Sequence, residues 1–189
     1  WTYADLQDKA NRIANVLTQD LGLVPGNRVL LCAPNNPMMV AAWFGTIKPG
    51  GIAVAAMPLL RAKELGTIVD IAQISHALCD EALRAEVQGA QQKSATLKAV
   101  RFFNSGASDG LEALMAQASG DFTAVDTAAT DTCLLGFTSG TTGVPSLSAG
   151  ALVLVRPTSP AAAGCGRWSF KFRPAARDED RKSAGWGES

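Results

Sequence analysis

The densest run of chemistry-capable residues is "TSGTTGVP", Thr138 to Pro145. Thr138, Ser139, Thr141 and Thr142 offer four hydroxyls, and Gly140 and Gly143 are free to take positive φ. Consecutive backbone N–H groups in such a turn form a concave anion site, and hydroxyls add donors to phosphate oxygens. A triphosphate is the natural guest. The spacing is neither the P-loop pattern, since no Lys-Ser/Thr follows, nor the dinucleotide glycine fingerprint. On turn chemistry alone an ordinary loop remains the competing account.

Other chemistry-bearing residues have plainer explanations. His76 has no acid or nucleophile at a useful spacing and reads as structural. Cys32, Cys79 and Cys133 sit in apolar strand text, where buried inert thiols are the default. Four widely spaced cysteines and one histidine disfavour a zinc site or a disulfide framework and fit a reducing cytoplasm. Asp178, Glu179 and Asp180 beside Arg177, Arg181 and Lys182 read as a solvated charge run. Trp43 and Phe44 are expected in the core.

The elements that must position the loop alternate. Thr2 and Asp5 form a capping-box pattern ahead of an amphipathic helix over residues 3–20. "RVLLCA" is a short apolar run of the type buried on both faces of a parallel sheet. An Asn-Asn-Pro turn then starts a helix through "MMVAAWFGTI". There follow "GIAVAAM" as strand, "RAKELGTIVDIAQ" as helix, "HALCD" as strand, "EALRAEVQGA" as helix, "LKAVRFF" as strand, "GLEALMAQAS" as helix and "TCLLGF" as strand. Strands separated by helix-length segments imply an α/β fold, a mostly parallel sheet flanked by helices. Ligands in such folds gather beyond the carboxyl ends of the strands, where the loop after Phe137 falls.

Composition bounds the rest. With 189 residues, 47% hydrophobic and 18% charged, the chain is expected to hold one folded domain and an appended tail. Seventeen basic and seventeen acidic side chains cancel, leaving no net field for nucleic acid. The uncharged run from Val29 to Ile47 is interrupted by Pro34 and Pro37, so a membrane span is not expected. The text changes at Ser146. Of the 44 residues from Ser146 to Ser189, 22 are Ala, Gly, Ser or Pro, and apart from "ALVLV" they show no helical or strand period. The expected division is 1–145 as the family-like domain and 146–189 as an irregular, linker-like tail.

"TSGTTGVP" resembles the signature phosphate loop of the adenylate-forming (AMP-binding) superfamily, the acyl- and aryl-CoA synthetases and their relatives. "WTYADLQDKANRIANVL" is similar to that family's early helix, and "NRVLLCAPNNPMMVAAWFGTIKPGGIAVAAMPLLRAKEL" to its next block. The "MPLLRAKEL" ending is similar to benzoate- and aminobenzoate-type CoA ligases. The resemblance covers residues 1–145 and implies the N-terminal subdomain of such an enzyme. It implies ATP-dependent activation of a carboxylic acid, aromatic by the last stretch, to an acyl-adenylate and then to acyl-CoA. It further implies ATP, Mg2+ and coenzyme A as cofactors, and phosphate binding by Thr138, Ser139, Gly140, Thr141, Thr142 and Gly143. Ser146 stands where the family has lysine, and the family's later motifs do not follow. The chain, starting at Trp1, is therefore expected to be a fragment, catalytically incomplete, its tail the product of a shifted reading frame. The alternative is a non-enzymatic α/β remnant or interaction module in which the loop is only a turn.

Overall fold

A computed structural model describes residues 1–128, 130–138, 146–155 and 169–174, the last two segments and Thr138 by their backbone. The element order is α1 (Tyr3–Asn15), β1 (Arg28–Cys32), α2 (Pro37–Ile47), β2 (Ile52–Ala56), α3 (Ala62–Ala72), β3 (His76–Asp80), α4 (Arg84–Gln91), β4 (Ala99–Phe103), α5 (Leu111–Gln117), β5 (Leu134–Thr138), β6 (Ser146–Val155) and β7 (Ser169–Pro174). The strands form one sheet in the order β4-β3-β1-β2-β5-β6-β7. From β4 to β5 every pairing is parallel, and β5–β6 and β6–β7 are antiparallel. The tail is thus not irregular throughout. β6 and β7 continue the sheet, and "ALVLV" lies inside β6.

Local chemistry sets the element boundaries. Thr2 donates its backbone N–H to Asp5 (2.7 Å), and the Thr2 hydroxyl accepts from the Asp5 N–H (3.2 Å), so two orphan donors at the start of α1 are satisfied. These hydrogen bonds, the backbone one foremost, hold the Asp5 carboxyl below its ordinary range. The helix expected over 3–20 is present, its last five residues, Val16–Asp20, forming a π-helical turn. Asn36 caps α2 by accepting from the Met39 N–H (2.9 Å), with Pro37 in the first turn where its missing N–H costs nothing. Gly50, at φ +78°, turns the chain from α2 into β2.

Alternating strand residues feed two cores. Leu30, Cys32, Val54, Ala77, Cys79 and Phe102 pack with Leu65, Ile68 and Val69 of α3 and Val87 of α4. Val29, Leu31, Ala53, Leu78 and Phe103 face the other way, onto Ile13 and Leu17, Ala42 of α2, and Leu111 and Met115 of α5. Every residue of β3 is buried, as a strand covered on both faces requires.

Polar side chains on α1 close the far end of the second core. Arg12 donates to the Met115 and Ala118 carbonyls (3.2 and 2.7 Å), Asn11 to Gly120 (2.7 Å), and Asn15 to Ser119 and Asp121 (2.9 Å each). These donors engage carbonyls in the last turn of α5 and in the segment just after it. The "KANRIAN" text therefore has a structural meaning: it fastens α1 to the segment after α5. His76 is structural, as expected. Its Nε2 donates to the Leu21 carbonyl (3.0 Å), and its Nδ1 is hydrogen-bonded with the Ser75 hydroxyl (2.8 Å).

Candidate functional site

Residues Ser139, Gly140, Thr141, Thr142 and Gly143 lie outside the described residues, as do Cys165 and the run Asp178–Asp180. The frame around the first group is described. β5 runs parallel to β2, with Ala53 opposite Leu134 and Val54 opposite Leu135, and the Ala53 N–H donates to the Cys133 carbonyl (2.9 Å). β5 ends at Thr138, whose backbone is the antiparallel register partner of Ser146. Seven residues, 139–145, separate those partners. Hairpin connections take roughly 2–5 residues, so this one carries more backbone N–H groups than reversal of the chain needs. It leaves from the carboxyl edge of the parallel strands, the ligand-binding edge of this architecture.

Beside that edge lies a groove of about 590 Å³ lined by Ala33, Met39, Trp43, Phe44, Ala56 and Met57, among others. Its walls are the chain leaving β1, the outer face of α2 and the chain leaving β2. Trp43 and Phe44 are half-buried and line this groove, and Trp43 also packs against the second core.

The strand ends on the other side of β1 are tied by one carboxylate. Asp80, buried at the end of β3, accepts from Asn36 Nδ2 (3.0 Å), Asn104 Nδ2 (2.7 Å) and the Ala82 backbone N–H (3.0 Å). Asn36 at the same time caps α2, and the Asn104 N–H donates to Glu112 of α5 (2.6 Å). Asn104 holds φ +56°, a left-handed conformation that asparagine tolerates better than most residues. The loops after β1, β3 and β4 are thereby held as one unit, which fixes the amino end of the groove helix α2. Sequence reasoning passed over Asp80. Its only local signal is an acid capping the single 3₁₀ turn Glu81–Leu83, and its other partners are 44 and 24 residues away.

Cys32 and Cys79 lie buried in neighbouring strands. Burial pushes Cys32 up to about 11, and burial followed by its neighbour Cys32 raises Cys79 well above the ordinary thiol value. Among the described residues no three His, Cys, Asp or Glu side chains converge on a metal-sized site. Among the same residues no helix is long and apolar enough to cross a membrane.

A parallel sheet with helices on both faces and a groove at the carboxyl edge of its strands define an open-sheet α/β domain. Residues 1–146 match the family described as AMP-binding enzyme, and the chain belongs to that family. The mitochondrial acyl-coenzyme A synthetase ACSM1 of Homo sapiens is 28% identical over 151 residues, 78% of this chain and 26% of its own length. The benzoate–CoA ligase of Thauera aromatica is 29% identical over 145 residues, 77% of this chain and 28% of its own. The chain thus spans about a quarter of the length of these relatives. The inhibitor-bound N-terminal domain of FACL13 from Mycobacterium tuberculosis superposes with a TM-score of 0.69 at 31% identity, over 79% of this chain and 37% of that one. The anthranilate CoA ligase AuaEII, in complex with anthranoyl-AMP, shares the fold with a TM-score of 0.72 at 23% identity, over 77% of this chain and 29% of that one.

Proposed function

We propose that residues 1–145 are the phosphate-loop part of an acid–CoA ligase. In that reaction a carboxylate attacks the α-phosphorus of ATP, an acyl-adenylate forms and pyrophosphate leaves. Coenzyme A thiol then displaces AMP to give the thioester. The acid assigned is aromatic, on the "MPLLRAKEL" text and on the benzoate– and anthranilate–CoA ligases among the similar proteins. Thr138, Ser139, Gly140, Thr141, Thr142 and Gly143 take the β- and γ-phosphates, by backbone N–H groups and hydroxyls. A hard cation such as Mg2+ would come with the triphosphate and complete its shell from phosphate, hydroxyl and water oxygens.

One observation carries this reading. "TSGTTGVP" spans the connection between the paired Thr138 and Ser146 in a chain of the AMP-binding family. Residues 146–189 are assigned as a segment outside the family pattern. The 189 residues by themselves are proposed to bind nucleotide without completing the reaction. Isothermal titration with MgATP tests the binding: saturable heat that Thr141→Ala/Thr142→Ala removes is expected. No binding at millimolar ATP would leave the non-enzymatic interaction module as the better account. Benzoate-dependent pyrophosphate exchange tests the chemistry. None is expected, and robust exchange overturns the proposed incompleteness.

A further inference from the structure

The open edge of the sheet at β4 carries a second polar pocket, which the reading above does not use. Its volume is about 180 Å³, and Arg84, Gln88, Lys98, Arg101 and Asp109 are among its lining residues. A water takes roughly 30 Å³ of liquid, so a tetrahedral oxyanion and a few waters fit.

The three cations are not equivalent. Arg84 is already engaged: it pairs with both oxygens of Glu81 (2.6 and 2.8 Å) and stacks over Phe102 at 4.1 Å. Lys98 and Arg101 form no ion pair among the described residues. Arg101 is also held in place. Its Nη1 donates to the Val100 carbonyl (2.8 Å), and its Nε is shielded from solvent with no acceptor. A buried guanidinium donor without a partner is costly. The other terminal nitrogen, which has no hydrogen bond among the described residues, is the edge left to take an oxyanion oxygen. Asp109, the single acid lining the pocket, is exposed and does not reach that edge.

We infer that the pocket between α4 and the β4 edge binds a phosphate group, free or as a small monoester, held by Arg101 and assisted by Lys98. The site is independent of residues 138–143. Three strands, β3, β1 and β2, lie between β4 and β5, a separation of about 19 Å at the usual strand spacing.

Titration of inorganic phosphate into the full 189-residue chain at constant ionic strength, with chloride as the balancing ion, is the test. Saturable one-site binding is expected. Arg101→Gln should weaken it by about tenfold, because one charge-assisted bond is lost. Lys98→Gln should weaken it by about threefold, and Asp109→Asn should tighten it by a similar factor. Those two positions are exposed, so their variants report on the pocket whether or not Arg101→Gln folds. Thr141→Ala/Thr142→Ala should leave phosphate binding unchanged, which separates this site from the proposed nucleotide loop. Methyl phosphate as a second titrant tells the sources apart: tighter binding than inorganic phosphate marks a monoester site, weaker binding a site for the free ion. Absence of saturable binding overturns the inference. So does binding indifferent to both Arg101→Gln and Lys98→Gln, or binding lost with the threonine variant.

Discussion

The position of α2, and with it the wall of the groove, depends on a close approach to α1 at Gly45. A Cβ built there would lie 2.5 Å from Ile13 Cγ2, 2.6 Å from Ile13 Cβ and 3.1 Å from the Ala10 carbonyl oxygen. Comfortable carbon–carbon contact is about 3.5–4.0 Å. The Cγ2 clash could be relieved by a rotamer change, but Ile13 Cβ is fixed to the backbone, so the two helices must separate by roughly 1 Å. Ile13 is fully buried, and nothing soft lies behind it. Gly45→Ala gains about 1 kcal/mol of helix propensity. Overpacking costs about 1–3 kcal/mol. The 2.6 Å clash with the backbone-fixed Ile13 Cβ puts the cost at the upper end of that range, about 2–3 kcal/mol, so the steric term wins and net destabilisation of about 1–2 kcal/mol is expected. Gly66, within α3, is the matched control, since a Cβ there meets nothing within 4 Å. Gly66→Ala should stabilise by about 0.5–1 kcal/mol. Urea unfolding of the three proteins decides it. If Gly45→Ala is as stable as the parent, or both variants shift in the same direction, the helix–helix approach does not have the tightness described.

Asp80→Ala leaves three donors without their acceptor. Asn36 and Asn104 can rehydrate in part, so a loss of about 2–4 kcal/mol in urea melts is expected, and a loss below about 0.5 kcal/mol would show that water replaces the carboxylate. In a Cys133→Ser/Cys165→Ser background, native protein at pH 8 should not react with a disulfide reagent, while unfolded protein exposes two thiols. Because burial pushes Cys32 up to about 11 and raises Cys79 well above the ordinary thiol value, native reactivity should appear only well above pH 8, and prompt reaction at pH 8 contradicts the burial. Ser146→Lys places a cation at the end of the proposed phosphate loop and should tighten MgATP binding by about tenfold, one charge-assisted contact; unchanged affinity would place the phosphates elsewhere.

The alternating elements were legible because they are written locally. Period-3.6 apolar spacing marked α1, the Thr2–Asp5 and Asn36–Pro37 pairs marked helix starts, and short uninterrupted apolar runs marked strands covered on both faces. What escaped is what joins distant text. The Asp80 hub and the Arg12 and Asn15 contacts link residues 24 to 106 positions apart, and no local pattern encodes such pairs. Trp43, expected in the core, packs against it while also lining the groove, and Phe44 is half-buried on the same wall, because apolar type reports burial on average and not which part of a ring stays open. β6 was legible only in its "ALVLV" stretch, because the rest of it is Ser-, Ala- and Gly-rich text. Strand pairing is satisfied by main-chain groups, so such text can still carry a strand when a neighbour supplies its edge.

The two phosphate sites argued for this chain rest on different physics. From Thr132 to Val155 there is no acidic or basic side chain, so an anion held by residues 138–143 relies on oriented N–H and hydroxyl dipoles and on any cation it brings. The pocket at β4 relies on full charges, Arg101 and Lys98 against Asp109. Dipoles in direct contact act over one bond length and are little affected by salt. Partly exposed charges are screened within about 10 Å at 0.1 M ionic strength. Raising salt should therefore weaken phosphate at the β4 edge, and leave the contribution of Thr141 and Thr142 to nucleotide binding nearly constant. The family pattern concerns only the second of these sites. The first follows from an arginine whose buried nitrogen has no acceptor within the described structure.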